Sequence, residues 1–169
     1  MLFVIFGEMG VGKNYVGEKL ASYLECDFFD GDLVAPQTMV DKVSSFKPLS
    51  QEDIDIYVSM YLAPAINDRY NGVPIQKNLV VAQALYREEH RLFIEQVFGK
   101  ENVCFIWLPV VSQKQHFKRL LTRAQGWKWV AYSLFNKFFF QKPSSQMEVA
   151  TIFNIEGHDV TSQFIFLSS

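Results

Sequence analysis

The feature that most constrains this chain stands at its start. An apolar run, Leu2 to Phe6, passes into Gly7-Glu8-Met9-Gly10-Val11-Gly12-Lys13-Asn14, and a helical pattern from Lys13 to Leu24 follows with Val16, Leu20 and Leu24 four residues apart. Strand, glycine loop and helix in immediate succession form a cradle for phosphate. The glycines let consecutive backbone N–H groups curl inward without Cβ clashes, the helix N-terminus adds a favourable dipole, and Lys13 reaches the phosphate to be moved. The spacing is that of a Walker A loop, and it nominates Gly7, Gly10, Val11, Gly12, Lys13 and Asn14 as nucleotide-binding positions.

Asn14 departs from that pattern, because the usual hydroxyl there is a direct Mg²⁺ ligand. An amide oxygen is still a hard oxygen donor, but its NH₂ group cannot ligate a cation. Weakened or altered metal binding is the expectation. A protein that binds nucleotide and turns over slowly or not at all stays open.

The rest of the chain repeats the strand-then-helix order. Short apolar runs at Asp27 to Phe29, Leu79 to Ala82, Val103 to Leu108 and Val149 to Ile155 mostly lack alternation, as expected of strands covered on both faces. Between them lie helical patterns: one starting at a Ser50 N-cap and running to Ile66, one over Arg87 to Phe98, and one from Ser112 to Ala124. Parallel βαβ units and a three-layer α/β sandwich follow. With 169 residues, 49% of them hydrophobic, and no linker or repeat, a single domain over 1–169 is expected.

No apolar run approaches the roughly 18 residues of a membrane span, and Met1 meets the first strand without a basic leader. A cytoplasmic protein without membrane contact is expected. Cys26 and Cys104 lie in apolar settings without metal-ligand spacing, so they read as buried reduced thiols. His90, His116 and His158 are scattered and receive no catalytic role.

Charge is uneven. Between Asn102 and Met147 there is no Asp or Glu, while Lys114, Lys118, Arg119, Arg123, Lys128, Lys137 and Lys142 fall inside, so this part is built to meet anions. Its aromatic stretch, Gly126 to Lys142, has a composition that can stack on single-stranded nucleic acid. Tyr132, Phe135 and Phe139 recur at helical spacing, which favours a packed helix, and no nucleic-acid partner is expected. The closing stretch, Gly157 to Ser169, would pack on the sheet or contact a partner.

After the second strand comes Phe29-Asp30-Gly31-Asp32, whose carboxylates, two residues apart, project to one side of an extended chain. Carboxylates at a strand's carboxyl end suit phosphoryl transfer, one for the metal's hydration shell and one for the acceptor hydroxyl. With these residues in place the chain resembles the gluconate kinase branch of the shikimate kinase-like P-loop kinases. The match runs from the opening loop through the Asp30-Gly31-Asp32 turn, through Lys42 to Tyr57, through Val80 to Arg91, and into Phe117 to Trp129.

That resemblance implies a P-loop NTPase fold with a five-stranded parallel sheet of order 2-3-1-4-5 and a mobile helical lid at about 124–145. It also implies ATP and Mg²⁺, and transfer to a hydroxyl of a small sugar-acid-like metabolite. Members commonly form dimers, so a homodimer is among the expectations. By position, Lys13 would bind the β- and γ-phosphates, Asn14 and Asp30 would serve the metal, and Asp32 would bind the acceptor hydroxyl and act as base. Arg119 and Arg123, four apart on the helix leading into the lid, would cover the nucleotide and neutralise developing charge.

The departures cluster on the acceptor side. The branch's His before a Pro is Ala35, the basic residues after it are Gln37 and Thr38, and an Arg after the acidic cluster is Ile54. After the third strand the branch's small-residue motif becomes Gln83-Ala84-Leu85-Tyr86, and its Tyr-Arg pair falls on Glu89-His90. Lys42, Asp53, Arg87 and Arg91 remain as candidates for acceptor contact. Two functions stay in view: a small-molecule kinase, and a nucleotide-binding regulatory module without turnover.

Overall fold

The computed structural model describes residues 1–71 and 78–167. Five parallel strands, β1 (Leu2–Phe6), β2 (Asp27–Asp30), β3 (Leu79–Ala82), β4 (Val103–Trp107) and β5 (Val149–Thr151), form one sheet of order β2-β3-β1-β4-β5. This is the expected order. The last strand is shorter than expected, because the backbone leaves the ladder after Thr151.

β1 is central and buried along its whole length, and its side chains divide between two cores. Leu2, Val4 and Phe6 point to a layer built by α3 (Gln51–Ile56), α4 (Ala63–Tyr70) and α5 (Glu88–Phe98). Phe3 and Ile5 point to the other, built on α1 (Lys13–Tyr23). The alternation is that of a pleated strand covered on both faces.

α2 (Gln37–Ser44) follows β2 through a 3₁₀ turn, Gly31–Val34. Ser50 caps α3 in a capping box: its side chain accepts from Asp53 N–H while Asp53 Oδ2 accepts from Ser50 N–H at 2.8 Å. Between α3 and α4 the helix widens into a π-helical segment, Tyr57–Leu62, which the periodicity did not disclose. α6 (Gln113–Leu121) starts at Ser112, and α7 (Gly126–Lys137) lies in the segment expected as the lid.

The closing stretch packs inward. Val160 and Phe164 are buried with Ile5, Leu20 and Ile152, and Phe164 meets Tyr23 edge-on at 5.7 Å. Its last residues, Ser168 and Ser169, lie outside the described residues. Cys26 and Cys104 are free thiols, half-buried rather than fully enclosed.

Candidate functional site

The glycine loop joins β1 to α1 at the carboxyl end of the sheet, where open parallel sheets hold ligands. Gly12 stands just before α1 with φ +94°, a left-handed conformation that only glycine takes without strain, and Asn154 crowds the space a Cβ would fill. The loop is gripped from several sides. Met9 N–H donates to Tyr86 Oη at 3.2 Å, and Met9 carbonyl lies 2.5 Å from His116 Nε2. The carbonyl of Val11 accepts from Arg119 Nη1 at 2.9 Å and Asn154 Nδ2 at 2.8 Å.

Lys13 Nζ donates to the carbonyls of Gly7 and Glu8, each at 3.1 Å, and so bends back over the loop. Burial lowers its pKa to about 8, with Asp32 and Asp30 opposing and Arg123 reinforcing. A lysine whose charge is disfavoured by burial, set in a phosphate cradle, would be relieved by a neighbouring negative charge.

Asp30 and Asp32 reach this place, though not by strand alternation. The chain turns at Gly31, and Asp30 caps the turn, its Oδ1 accepting Asp32 N–H at 3.0 Å. Asp30 Oδ2 accepts Asn14 Nδ2 at 2.5 Å. Two carboxylates and an amide oxygen beside the first turn of α1 form a donor set that fits Mg²⁺. The amide NH₂ of Asn14 is the one member that cannot serve it.

The two arginines expected together separate. Arg119 lies against the loop, with Nη2 also donating to the Asn154 carbonyl at 3.2 Å. Arg123 falls beyond the end of α6, exposed, with its guanidinium 5.6 Å from the Trp129 ring centre. The four-residue spacing holds in sequence, but the helix stops at Leu121, so no shared helical face exists.

On the acceptor side the expected cations are engaged. Lys42 Nζ binds both oxygens of Asp53, at 2.7 and 2.6 Å, and this contact, with the Ser50 cap, draws Asp53 down to about 2. Arg87 sits 3.3 Å from Glu89. Arg91 is fully buried: Nη1 donates to the Leu85 carbonyl at 2.7 Å, Nη2 to the Gln141 carbonyl at 2.9 Å, and its guanidinium covers Phe6. Burial lowers its pKa to about 10. Arg91 thus ties the root of the α7 segment to the β3–α5 loop rather than facing Asp32. Nearby, Asp55, Glu89 and His90 converge, and Gln51 Nε2 lies between them, 2.7 Å from Asp55 Oδ1 and 2.8 Å from Glu89 Oε1.

α7 leans on the acceptor side. Trp129 meets Phe46 at 4.8 Å, Tyr132 Oη donates to the Lys47 carbonyl at 3.2 Å, and Lys128 sits over Phe46. Tyr132 is buried as its spacing suggested. Phe135 and Phe139 are half exposed and meet each other at a tilt, ring centres 5.3 Å apart, instead. At the other end, Gln141 N–H donates to the Tyr86 carbonyl at 2.7 Å, Gln141 Oε1 accepts from Glu88 N–H, and Ser144 Oγ donates to Glu88. The stretch 141–146 is anchored at Gln141 and Ser144.

Tyr57 and Asn154 were not singled out in sequence, and His116 and Gln83 were given no role there. Gln83 was visible only as a departure from the branch's small residue; the others carry no local signal.

The Sinorhizobium meliloti gluconokinase superposes with a TM-score of 0.71 at 19% identity, over 95% of this chain and 85% of that one. A shikimate kinase from Acinetobacter baumannii, solved with shikimate, gives 0.54 at 14%, over 99% and 90%. In sequence, the thermosensitive gluconokinase of Escherichia coli is 43% identical over 109 residues, 63% of this chain and 54% of its own length. Over the matched stretch the chain is similar to this gluconokinase. The thermoresistant gluconokinase of Escherichia coli is 31% identical over 113 residues, 63% of this chain and 58% of its own length. The chain therefore spans somewhat over half the length of these two gluconokinases. No protein-family model matches it. Among the described residues, no helix is long and apolar enough to cross a membrane.

Proposed function

We propose that the protein is an ATP- and Mg²⁺-dependent kinase that transfers the γ-phosphoryl group to a hydroxyl of a small sugar-acid-like acceptor. One observation carries the reading: the Lys13 loop and the Asp30–Asp32 turn meet at the same end of the sheet, joined by the Asn14–Asp30 hydrogen bond. Similarity to the two Escherichia coli gluconokinases supports the sugar-acid class.

In this reading the loop's N–H groups hold the β-phosphate and the Lys13 ammonium faces the γ-phosphate. Asp30 and Asn14 would hold Mg²⁺, which when bound offsets charge on the phosphate oxygens. Asp32 accepts the proton of the acceptor hydroxyl as its oxygen bonds to the γ-phosphorus and the bond to the bridging oxygen of ADP breaks. Arg123, beside the lid and close enough to influence Lys13, neutralises charge on the moving group. α7 serves as the lid, and Arg119 with Asn154 stiffens the loop beneath the nucleotide. The free thiols, with Cys104 pushed up to about 11 by burial, fit a reducing cytoplasmic setting.

The hydrogen bond from Asn14 to Asp30 is the observation behind one alternative, a nucleotide-binding module that does not turn over, because it engages both metal-side groups with each other. ATP consumption with Mg²⁺ across sugar acids, polyols and nucleosides, beside a direct ATP titration, separates the two. Acceptor-dependent turnover is the expected result. Tight ATP binding with no turnover on any acceptor would favour the module.

A further inference from the structure

Gln83 leaves the end of β3 next to the Asp30–Asp32 turn, because the register of β2 against β3 sets Asp30 opposite Ala82. Its side chain is 7% exposed, and every polar atom has a partner. Oε1 accepts Ala84 N–H at 2.5 Å, while Nε2 donates to Asp32 Oδ1 at 3.2 Å and to Tyr57 Oη. Tyr57, 5% exposed, donates its hydroxyl hydrogen bond to the Gly31 carbonyl at 2.9 Å. Only an oxygen can accept from Ala84 N–H, so the amide has one orientation and both its donors are committed.

This network surrounds the turn tightly. A Cβ on Gly31 would lie 2.9 Å from Gln83 Nε2 and 3.2 Å from Tyr57 Oη. The glycine between the two aspartates is therefore the residue that lets a buried amide reach an exposed carboxylate. Among the described residues, only one of the Asp32 carboxylate oxygens accepts a side-chain hydrogen bond, which leaves the other to an incoming hydroxyl.

We propose that Gln83, itself held by Ala84 and Tyr57, is the positioning residue for Asp32: it fixes one carboxylate oxygen so that the other is aimed at the acceptor hydroxyl. This rests on the reading of Asp32 as the proton acceptor. Aim matters chiefly when the proton moves, so Gln83 governs the rate of transfer rather than the affinity for either substrate.

Two variants test it. Gln83→Glu keeps an oxygen for Ala84 N–H and deletes the donors; Gln83→Met deletes all three hydrogen bonds at similar size. Each is expected to lower kcat by about tenfold or more, with acceptor KM and ATP Kd unchanged within about twofold. Gly31→Ala, which pushes on the amide, follows the same split. Unchanged kcat in both Gln83 variants, while Asp32→Asn abolishes transfer, would overturn the proposal alone. Wild-type turnover in Asp32→Asn would instead remove the Asp32 reading and the proposal with it.

A second measurement needs no turnover. In NMR spectra the Gln83 side-chain NH₂, identified by its loss in Gln83→Met, is expected to exchange slowly with solvent and to shift in Asp32→Asn. An amide that exchanges like an exposed one and ignores Asp32→Asn would overturn the proposal.

Discussion

At Asn14 a carboxamide in place of a hydroxyl changes the character of the loop. A serine there would offer a hydroxyl able to ligate; the amide instead donates to Asp30 at 2.5 Å, so in the proposed reading Mg²⁺ would first have to break a charge-assisted hydrogen bond. Asn14→Ser is expected to lower severalfold the Mg²⁺ concentration needed for half-maximal turnover, read from a Mg²⁺ titration at saturating ATP. Equal Mg²⁺ dependence in the two proteins would mean that the amide serves as well as a hydroxyl. Lys13 adds a pH dependence of definite sign. Its pKa falls from 10.5 to about 8 on folding, chiefly through burial, so between those values the unfolded chain holds more protons than the folded one. Stability of the nucleotide-free protein therefore rises through pH 8 to 10.5, and below pH 8 the buried ammonium weighs fully against folding. Lys13→Met is expected to be the more stable protein at pH 7, with the gap closing by pH 10.5, as urea unfolding at several pH values would show.

The elements around the site depend on contacts that local pattern cannot contain. The opening strand, the glycine loop, α1 and the strand order were legible because spacing, or a resemblance resting on that loop, carries them. The role of Arg91 was not, since its partner Gln141 lies fifty residues away in sequence and the charge suggested a substrate contact. Gln83 was hidden for the same reason, with Asp32 fifty-one residues distant. Arg123 misled through helical spacing, because the helix ended two residues short of it. Arg91→Ala would leave two carbonyls without their charged donors and uncover Phe6, a loss of about 3–6 kcal/mol judged from two charged hydrogen bonds of about 1.5–3 kcal/mol each. Urea denaturation measures this; a loss well under 1 kcal/mol would place the guanidinium in solvent. Phe46→Ala acts on the opposite end of α7, where Trp129, Tyr132 and Lys128 gather on that ring. Amide exchange in α7 is expected to quicken with little change in global stability, and unchanged exchange would mean that the aromatic contact does not hold α7.

Across the whole molecule the two cores are unequal in what closes them. One face of the sheet is covered by the long α3–α4 passage and α5; the other relies on α1 and on the closing 3₁₀ turn, Val160–Gln163, with Phe164 beside it. That last segment also reaches the phosphate loop through a short chain of contacts. Gln163 exchanges two hydrogen bonds with Phe153, Oε1 accepting its N–H at 2.9 Å and Nε2 donating to its carbonyl at 3.0 Å. The next residue, Asn154, holds the Val11 carbonyl at 2.8 Å and takes Arg119 on its own carbonyl. The tail thus fixes a residue that grips the loop from behind. Two substitutions separate its packing from its reach. Phe164→Ala removes a fully buried ring and is expected to cost about 3–5 kcal/mol in urea unfolding. Gln163→Ala removes only partly exposed hydrogen bonds, about 1 kcal/mol each, yet frees Phe153 and Asn154, so ATP affinity should fall more than stability does. If calorimetric titration finds ATP affinity intact in Gln163→Ala, Asn154 is held by Val11 and Arg119 alone, and the tail closes the core without steadying the loop.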